Sequence, residues 1–413
     1  MKRGSLRRWI MLSWVVVVCF TITPGQDNSA FSDEGDQTRE FRRLDLFPAI
    51  SYSPETNLTL GAIGIYYFDL AKANPQTPVS NLEFLGIYTL NRQIIFETRW
   101  EAFTTRSRWR TRGEAFYNRY PDRNYGMGND AGTLVVEVDG EGVLDTLNYL
   151  NFNSDRIKVT PVVLRKIFPH TYFGLIYDME YLYRMSILPK RYYFLNTDST
   201  EILSMPIDGI RSGIGWQMLY DSRDYILNPM KGSLLELQNL YYGSALGSDF
   251  RFQTIYLDAR QYFNAFRNQT LALRLVGSFG FTSDEIPMRA LSRVGGHKFL
   301  RGYFKGTYQD HHMTAFEVEY RLPLWSEGID TKWWKVWKRL GVVGFIGGAQ
   351  VFRKPSNFKG TEFNLAVGTG LRILFNPESR VNIRIDYAVG LSPGPEGHDK
   401  RQSGFYFYLG EAF

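Results

Sequence analysis

Cysteine is almost missing from this chain of 413 residues: Cys19 is the only one, set between Val17, Val18 and Phe20 in an apolar stretch from Trp9 to Ile22. Those neighbours are not those of a lipoprotein acylation site, and a chain without other cysteines has neither a disulfide scaffold nor thiol chemistry. Beyond residue 25 there is no uninterrupted apolar run that could cross a membrane as a helix. A Gly-x-Ser-x-Gly elbow, a phosphate loop and a dinucleotide fingerprint are also lacking. Histidine is scarce, at five residues, and His311 and His312 are adjacent, so on a strand they point to opposite faces and cannot chelate one metal ion. His312 with Ser292 could be imagined as a hydrolytic pair, but no spacing singles it out. The expectation is therefore a chain with no catalytic residues, no metal and no cofactor.

The surplus of positive charge also dissolves. Lys2, Arg3, Arg7 and Arg8 precede the apolar stretch, and Thr23-Pro24-Gly25 follows it, the layout of a secretory signal over residues 1–25. Setting those four aside leaves 44 basic against 42 acidic residues, so the formal net charge of +6 is no pointer to nucleic acid. Residues 26–43 are polar and read as a periplasmic linker. An exported chain with no membrane-crossing helix is either soluble or a barrel.

What is abundant is aromatic residues and glycine: 26 Tyr, 30 Phe and 38 Gly, with no long helical period, the balance of an antiparallel β protein. From residue 44 the chain is a succession of segments with period-two alternation. They are read at 44–53, 58–70, 80–90, 93–104, 107–118, 154–166, 170–185, 210–221, 231–243, 250–263, 270–282, 310–323, 340–353, 361–375, 380–391 and 402–413. In the fourth, Ile94, Phe96, Thr98, Trp100 and Ala102 oppose Glu97, Arg99 and Glu101. In the seventh, Phe173, Leu175, Tyr177, Met179, Tyr181 and Tyr183 oppose Asp178, Glu180 and Arg184. In the twelfth, Thr314, Phe316, Val318, Tyr320 and Leu322 oppose Glu317, Glu319 and Arg321, and in the fifteenth Val381, Ile383, Ile385, Tyr387 and Val389 oppose Asn382, Arg384 and Asp386. Such strands suit a barrel with lipid outside and water inside. The long links 119–153, 186–209, 283–309 and 392–401 all follow odd strands, as antiparallel closure with both ends on one side requires. The exception, Trp325–Arg339, is rich in Trp and Lys and predicts a short interfacial helix. The expected fold is all-β: a 16-stranded antiparallel transmembrane β-barrel over residues 44–413, with a loop folded inward between strands 11 and 12.

Three stretches carry a family likeness. One is Gly295-Gly296 with Leu300-Arg301-Gly302-Tyr303, a lone Arg on a glycine-rich loop after the eleventh strand. The second is Asp221-Ser222-Arg223-Asp224 through Pro229 and Gly232, between strands eight and nine. The third is Arg384-Ile385-Asp386-Tyr387 with the terminal run in which Phe405, Phe407, Leu409 and Phe413 are read as one face. With these the chain resembles the BamA/TamA superfamily of outer-membrane assembly barrels, also called bacterial surface antigen barrels. The resemblance implies that the sixth outer loop folds into the lumen and that its Arg pairs with acids of the inner wall, which makes Glu317, Glu319 and Asp386 the expected partners of Arg301. It also implies a weak seam between the first and last strands, and a role in outer-membrane biogenesis or in translocation or insertion of protein or lipid. The family's assembly proteins carry periplasmic POTRA repeats, for which the eighteen residues 26–43 leave no room. A separate POTRA-type or lipid-handling partner is then expected, besides the lipids of the bacterial outer membrane. The alternatives are a passive pore or structural barrel, and an outer-membrane hydrolase.

Overall fold

A strand that is apolar on one face and charged on the other has to present those faces to two different media, and pairing each strand with its neighbours around a ring does this. The computed structural model describes residues 44–53, 57–70, 77–90, 92–119, 122–129, 134–138, 143–147, 149–188, 191–194, 208–226, 228–266, 269–283, 286–324, 340–376, 381–392, 401–409 and 411–413. The regions read as signal and linker, and residues 325–339, expected from sequence to form an interfacial helix, lie outside them.

The wall consists of β1 (Leu44–Ser53), β2 (Asn57–Phe68), β3 (Ser80–Thr89), β4 (Ile94–Phe103), β5 (Trp109–Arg119), β6 (Leu150–Phe168), β7 (Thr171–Leu188) and β8 (Gly209–Asp221). It continues through β9 (Gly232–Tyr242), β10 (Phe252–Asn264), β11 (Thr270–Phe281), β12 (His312–Pro323), β13 (Leu340–Phe352), β14 (Asn364–Asn376), β15 (Val381–Gly390) and β16 (Ser403–Leu409). Every strand pairs antiparallel with the next, so the sheet is an up-and-down meander. The strands β1 and β16 run side by side, and no ladder pairs join them among the described residues. All sixteen segments expected from the sequence are strands. β6 and β7 are longer than expected, reaching beyond the others at the end where the long links lie.

Alternation sorts the faces as the two-medium argument requires. Phe84, Phe96, Leu175, Tyr241, Ile346, Val367 and Phe405 point outward and are exposed, Leu175 by 63%. Asp178, Glu180, Asp258, Arg274, Glu317, Glu319 and Asp386 point inward and are buried. Outside a membrane, so much exposed apolar surface would drive aggregation; against acyl chains it is the stabilising face. Ile346, at the middle of β13 between Val318 and Val367, tests this. Ile346→Arg is expected to destabilise the barrel in lipid by about 2–4 kcal/mol, measured by denaturant unfolding in vesicles.

Two placements differ from the sequence reading. A bulge between Tyr183 and Ser186 breaks the alternation of β7, so Arg184 does not stay on the inner face but sits exposed, 3.5 Å from Asp155. Phe413 leaves the outward face of Phe405: four residues beyond the strand the chain turns in, and the ring is buried with Tyr262 and Ala272. The long links also hold structure that alternation did not announce. Strands Leu134–Val138 and Val143–Leu147 form a hairpin that pairs with Arg191–Phe194, and Asp122–Asn124 pairs beside β6.

Candidate functional site

The link between β11 and β12 turns into the barrel. It is pinned at its base by a short hairpin, Ser292–Val294 against Tyr308–Asp310. Its tip is shaped by residues that reach left-handed backbone angles. Leu300 does so at φ 61°, which for a side chain with a Cβ costs about 1–2 kcal/mol, and its buried side chain packs with Val294, Tyr303 and Ala349. Gly302 lies at φ 108°, and a Cβ there would stand 2.8 Å from the carbonyl carbon of Val389. The backbone of the loop therefore runs hard against β15.

This brings Arg301 to the inner wall, 1% exposed. Its Nε donates to Glu317 Oε1 at 2.9 Å, Nη2 donates to Glu319 Oε2 at 2.7 Å and also to Glu317, and Nη1 donates to Asp386 Oδ2 at 2.5 Å. The guanidinium lies over the Phe345 ring, 3.4 Å from its centroid. The three acids and the arginine that the sequence singled out are thus brought together. A guanidinium cannot shed its proton, and three carboxylates around it hold its pKa still further up, against the effect of burial.

The acids are themselves shared. Arg321 Nε donates to Glu319 Oε1 at 2.8 Å, and Arg372 donates to Asp386 Oδ1 at 2.6 Å and to Glu411 Oε2 at 2.7 Å. Arg384 Nε lies 3.4 Å from Asp386 Oδ2. Four guanidinium groups (Arg301, Arg321, Arg372, Arg384) face four carboxylates (Glu317, Glu319, Asp386, Glu411), so the cluster is neutral as a whole. Arg321 extends it in two directions: Nη1 donates to Pro229 O at 3.2 Å and Nη2 to Phe413 O at 3.0 Å. Arg321 thus joins the turn between β8 and β9 and the chain end to Glu319, the acid that also holds Arg301 of the lumenal loop.

That turn is built from its own motif. Arg223 donates to both oxygens of Asp221, at 2.8 and 3.0 Å, and Arg110 of β5 reaches Asp221 at 3.2 Å. Asp224 Oδ1 accepts the backbone N–H of Tyr225 at 3.0 Å and of Met230 at 2.9 Å. Gly232, at φ 101°, lets the chain leave the turn into β9. Of the terminal strand, Phe405 and Phe407 stand on the outward side with Leu409 on the same ladder, while Tyr406 and Tyr408 face in. Those inward tyrosines hold the loop. Gly302 N donates to Tyr406 Oη at 3.0 Å, and Tyr406 Oη donates to Tyr303 O at 3.2 Å. Tyr408 Oη lies 3.0 Å from His297 Nδ1, with the rings stacked 4.1 Å apart. Gln402 Oε1 accepts from Phe304 N at 2.9 Å and from Thr307 Oγ1 at 3.0 Å. Burial and then Lys298, Arg384, Lys305 and Arg99 hold the His297 pKa well below its ordinary value, so the ring is neutral.

A second segment lies over the loop. Residues 122–129 cross from the β5–β6 link: Gly128 N donates to Gln309 O at 3.0 Å, and Gln309 Nε2 donates to Asn124 Oδ1 at 2.5 Å. Asn129 Oδ1 accepts from Val351 N at 3.2 Å and Asn364 Nδ2 at 3.0 Å. β6 and β14 stand eight places apart in a ring of sixteen, so this strap spans the barrel mouth from wall to wall.

Arg321, Arg372, Arg384, Glu411, Gln402, Tyr406 and the 122–129 strap were not assigned roles from sequence. Alternation placed Arg321 and Arg384 on the inner face without saying what they meet. Ser292 Oγ donates to Ser278 and to His311 O, not to His312, whose ring lies among Phe279, Phe281 and Phe352, so these two do not form a hydrolytic pair.

The hairpin at the loop's base carries a titration. Burial pushes the carboxyl of Asp310 up to about 6, although its Oδ1 accepts His311 N–H at 2.8 Å. The folded state then holds this proton more tightly than the unfolded chain, so Asp310 favours folding at low pH and that contribution is lost as pH rises from about 4 through about 6. Asp310→Asn is expected to match wild type at pH 4 and exceed it by up to about 2–3 kcal/mol at pH 8, in unfolding titrations at both pH values.

A family profile described as the Omp85 superfamily domain matches residues 88–413. Among solved structures, the chain is similar to BamA from Haemophilus ducreyi lacking POTRA domains 1–3, with a TM-score of 0.55 and 14% identity over 90% of this chain and 70% of that one. It is also similar to CdiB from Escherichia coli (TM-score 0.56, 10% identity, 89% of this chain) and CdiB from Acinetobacter baumannii (TM-score 0.51, 11% identity, 88% of this chain). It spans 63% and 59% of those two CdiB chains. No curated protein matches the sequence. The match over residues 88–413 takes in the lumenal loop, its acidic partners, the turn before β9 and the closing strand, and the chain belongs to the Omp85 superfamily.

Proposed function

We propose that this barrel works in the bacterial outer membrane in the insertion or translocation of polypeptide, or of lipid, in the manner of the BamA/TamA branch of its superfamily. The observation that carries this reading is Arg301 held by Glu317, Glu319 and Asp386 inside the lumen. A charged loop laid across the lumen under a strap is an obstruction in a passive pore. In a device that must open for a client it is a brace that can be released. Membership of the superfamily supports the same reading. Client delivery falls to a separate periplasmic protein, of POTRA type or lipid-handling, and the surrounding partner is outer-membrane lipid.

The test is complementation. In a strain depleted of this protein, outer-membrane barrel proteins or surface lipid should fall, wild-type chain should restore them, and Arg301→Ala should not. Unchanged membrane composition on depletion, with planar-bilayer conductance that Arg301→Ala leaves unaltered, would replace this reading with that of a passive or structural barrel.

A further inference from the structure

The end of the barrel with short turns, which faces the periplasm in barrels of this kind, is not evenly charged. Four bases collect where β4, β5 and β6 end: Arg106 and Arg108 on the β4–β5 turn, and Arg165 and Lys166 at the end of β6. All four are exposed. The two elements are stitched together, since Lys166 N donates to Arg108 O at 2.9 Å and Arg165 is the ladder partner of Trp109. None of the four forms an ion pair among the described residues. Elsewhere in this wall the bases are matched: Arg110 takes Glu101 and Asp221, and Lys158 takes Glu114 and Asp178.

Three further features set the patch apart. Directly beside it the outward face is strongly apolar, with Trp109, Val163, Ile167 and Phe168 all exposed, Phe168 by 67%. Arg165 shares the face of Val163 and Ile167, and its guanidinium lies 5.8 Å from the Trp109 ring centroid. It thus runs its stem along apolar surface and carries its charge toward the rim. The turn itself is held in a costly shape: Arg106 and Ser107 both have left-handed backbone angles, φ 57° and 50°, with no glycine to ease them. Arg106 N donates to Thr77 Oγ1 at 3.0 Å, which ties the turn to the β2–β3 link. Backbone strain of this kind persists only where the surroundings impose it.

From these observations we propose that Arg106, Arg108, Arg165 and Lys166 form a binding site for the headgroup of an anionic glycerophospholipid of the periplasm-facing leaflet, with Trp109, Ile167 and Phe168 against its acyl chains. Unpaired bases at one level and exposed aromatic and aliphatic residues at the next match a phosphodiester joined to hydrocarbon. A soluble anion would use only the first half of the site. The site is independent of whether the barrel inserts clients or is a plain pore.

The protein in nanodiscs holding equal phosphatidylglycerol and phosphatidylcholine, released by gentle activation and read by native mass spectrometry, tests this. Wild type should retain phosphatidylglycerol in preference by at least about tenfold, since each base near the surface adds to the attraction. The R106Q/R108Q/R165Q/K166Q variant should retain the two lipids equally, while a control lacking three other exposed bases, K231Q/R251Q/K354Q, should keep the preference. Equal retention by wild type, an undiminished preference in the fourfold variant, or an equal loss in the control would each overturn the site. Should the fourfold variant not give a folded barrel by heat-shifted electrophoretic mobility, R106Q/R108Q, confined to the turn, decides. A severalfold loss of preference supports the site and none refutes it.

Discussion

Arg301→Ala is expected to cost about 3–5 kcal/mol of barrel stability, read from the denaturant midpoint of tryptophan fluorescence in lipid vesicles. The figure follows from what is left behind. Without the guanidinium, Glu317, Glu319 and Asp386 face one another, and Arg321 and Arg372 cannot move to serve all of them, because they are already bound to Pro229 O, Phe413 O and Glu411. The same change removes a cation from the Phe345 ring. Coupling gives a sharper form of the prediction. In a Glu319→Gln background Arg301→Ala should cost at least about 1 kcal/mol less, because one stranded charge is already gone. A loss below about 1 kcal/mol in the wild-type background would mean that the cluster is solvated and weak.

Gly302→Ala should release the loop from the lumen. At φ 108° a residue with a Cβ is strained, and this Cβ would also press on the backbone of Val389, 2.8 Å away, in a ladder that cannot yield locally. Strain and clash together are placed at about 2–4 kcal/mol, comparable to the loop's hold on Tyr406 through Gly302 N and Tyr303 O. The loop should therefore leave the wall rather than the wall deform. Single-channel conductance in planar bilayers should rise well above wild type, and a cysteine placed at position 300, where the loop is buried, should become reactive to a bulky aqueous thiol reagent. Conductance equal to wild type would show that the loop stays despite the added carbon, or that the strap over residues 122–129 closes the mouth by itself.

Much of this architecture is written in alternation. A strand such as Ile94–Phe103 or Val381–Gly390 has no freedom about which side faces lipid once its charged residues fall on every second position, and the parity of the links then orders the ring. The inner acids could be named for the same reason: with Arg301 on a loop after the eleventh strand, only inward carboxylates can meet it, and the family likeness narrowed these to Glu317, Glu319 and Asp386. What alternation cannot supply is distance around the ring and along its axis. Arg372 follows the small inward residues Ala366, Gly368 and Gly370, and nothing local says that it reaches Asp386 on the next strand and Glu411 beyond the last. Phe413 obeys the outward parity of Phe405 on paper. The strand ends at Leu409, however, and past that point the chain is free to turn its ring toward Tyr262. Arg184 was lost to a bulge, which inserts a residue without changing composition. The strap from Asp122 to Asn129 lies on an irregular link, where side-chain bonds to Gln309, Val351 and Asn364 set the path and no periodicity announces it.

All of this depends on which medium each face of the wall meets, and one scan measures that directly. Nitroxide labels placed singly from position 173 to 181 along β7, with the protein in vesicles, report collision with oxygen, which concentrates in hydrocarbon, and with a nickel chelate, which stays in water. The expected record has period two, with labels at Phe173, Leu175, Tyr177, Met179 and Tyr181 open to oxygen and closed to nickel, and those between them closed to oxygen. A record in which the odd positions meet nickel as freely as an exposed turn, with oxygen showing no alternation, would place that face in water and contradict the membrane barrel.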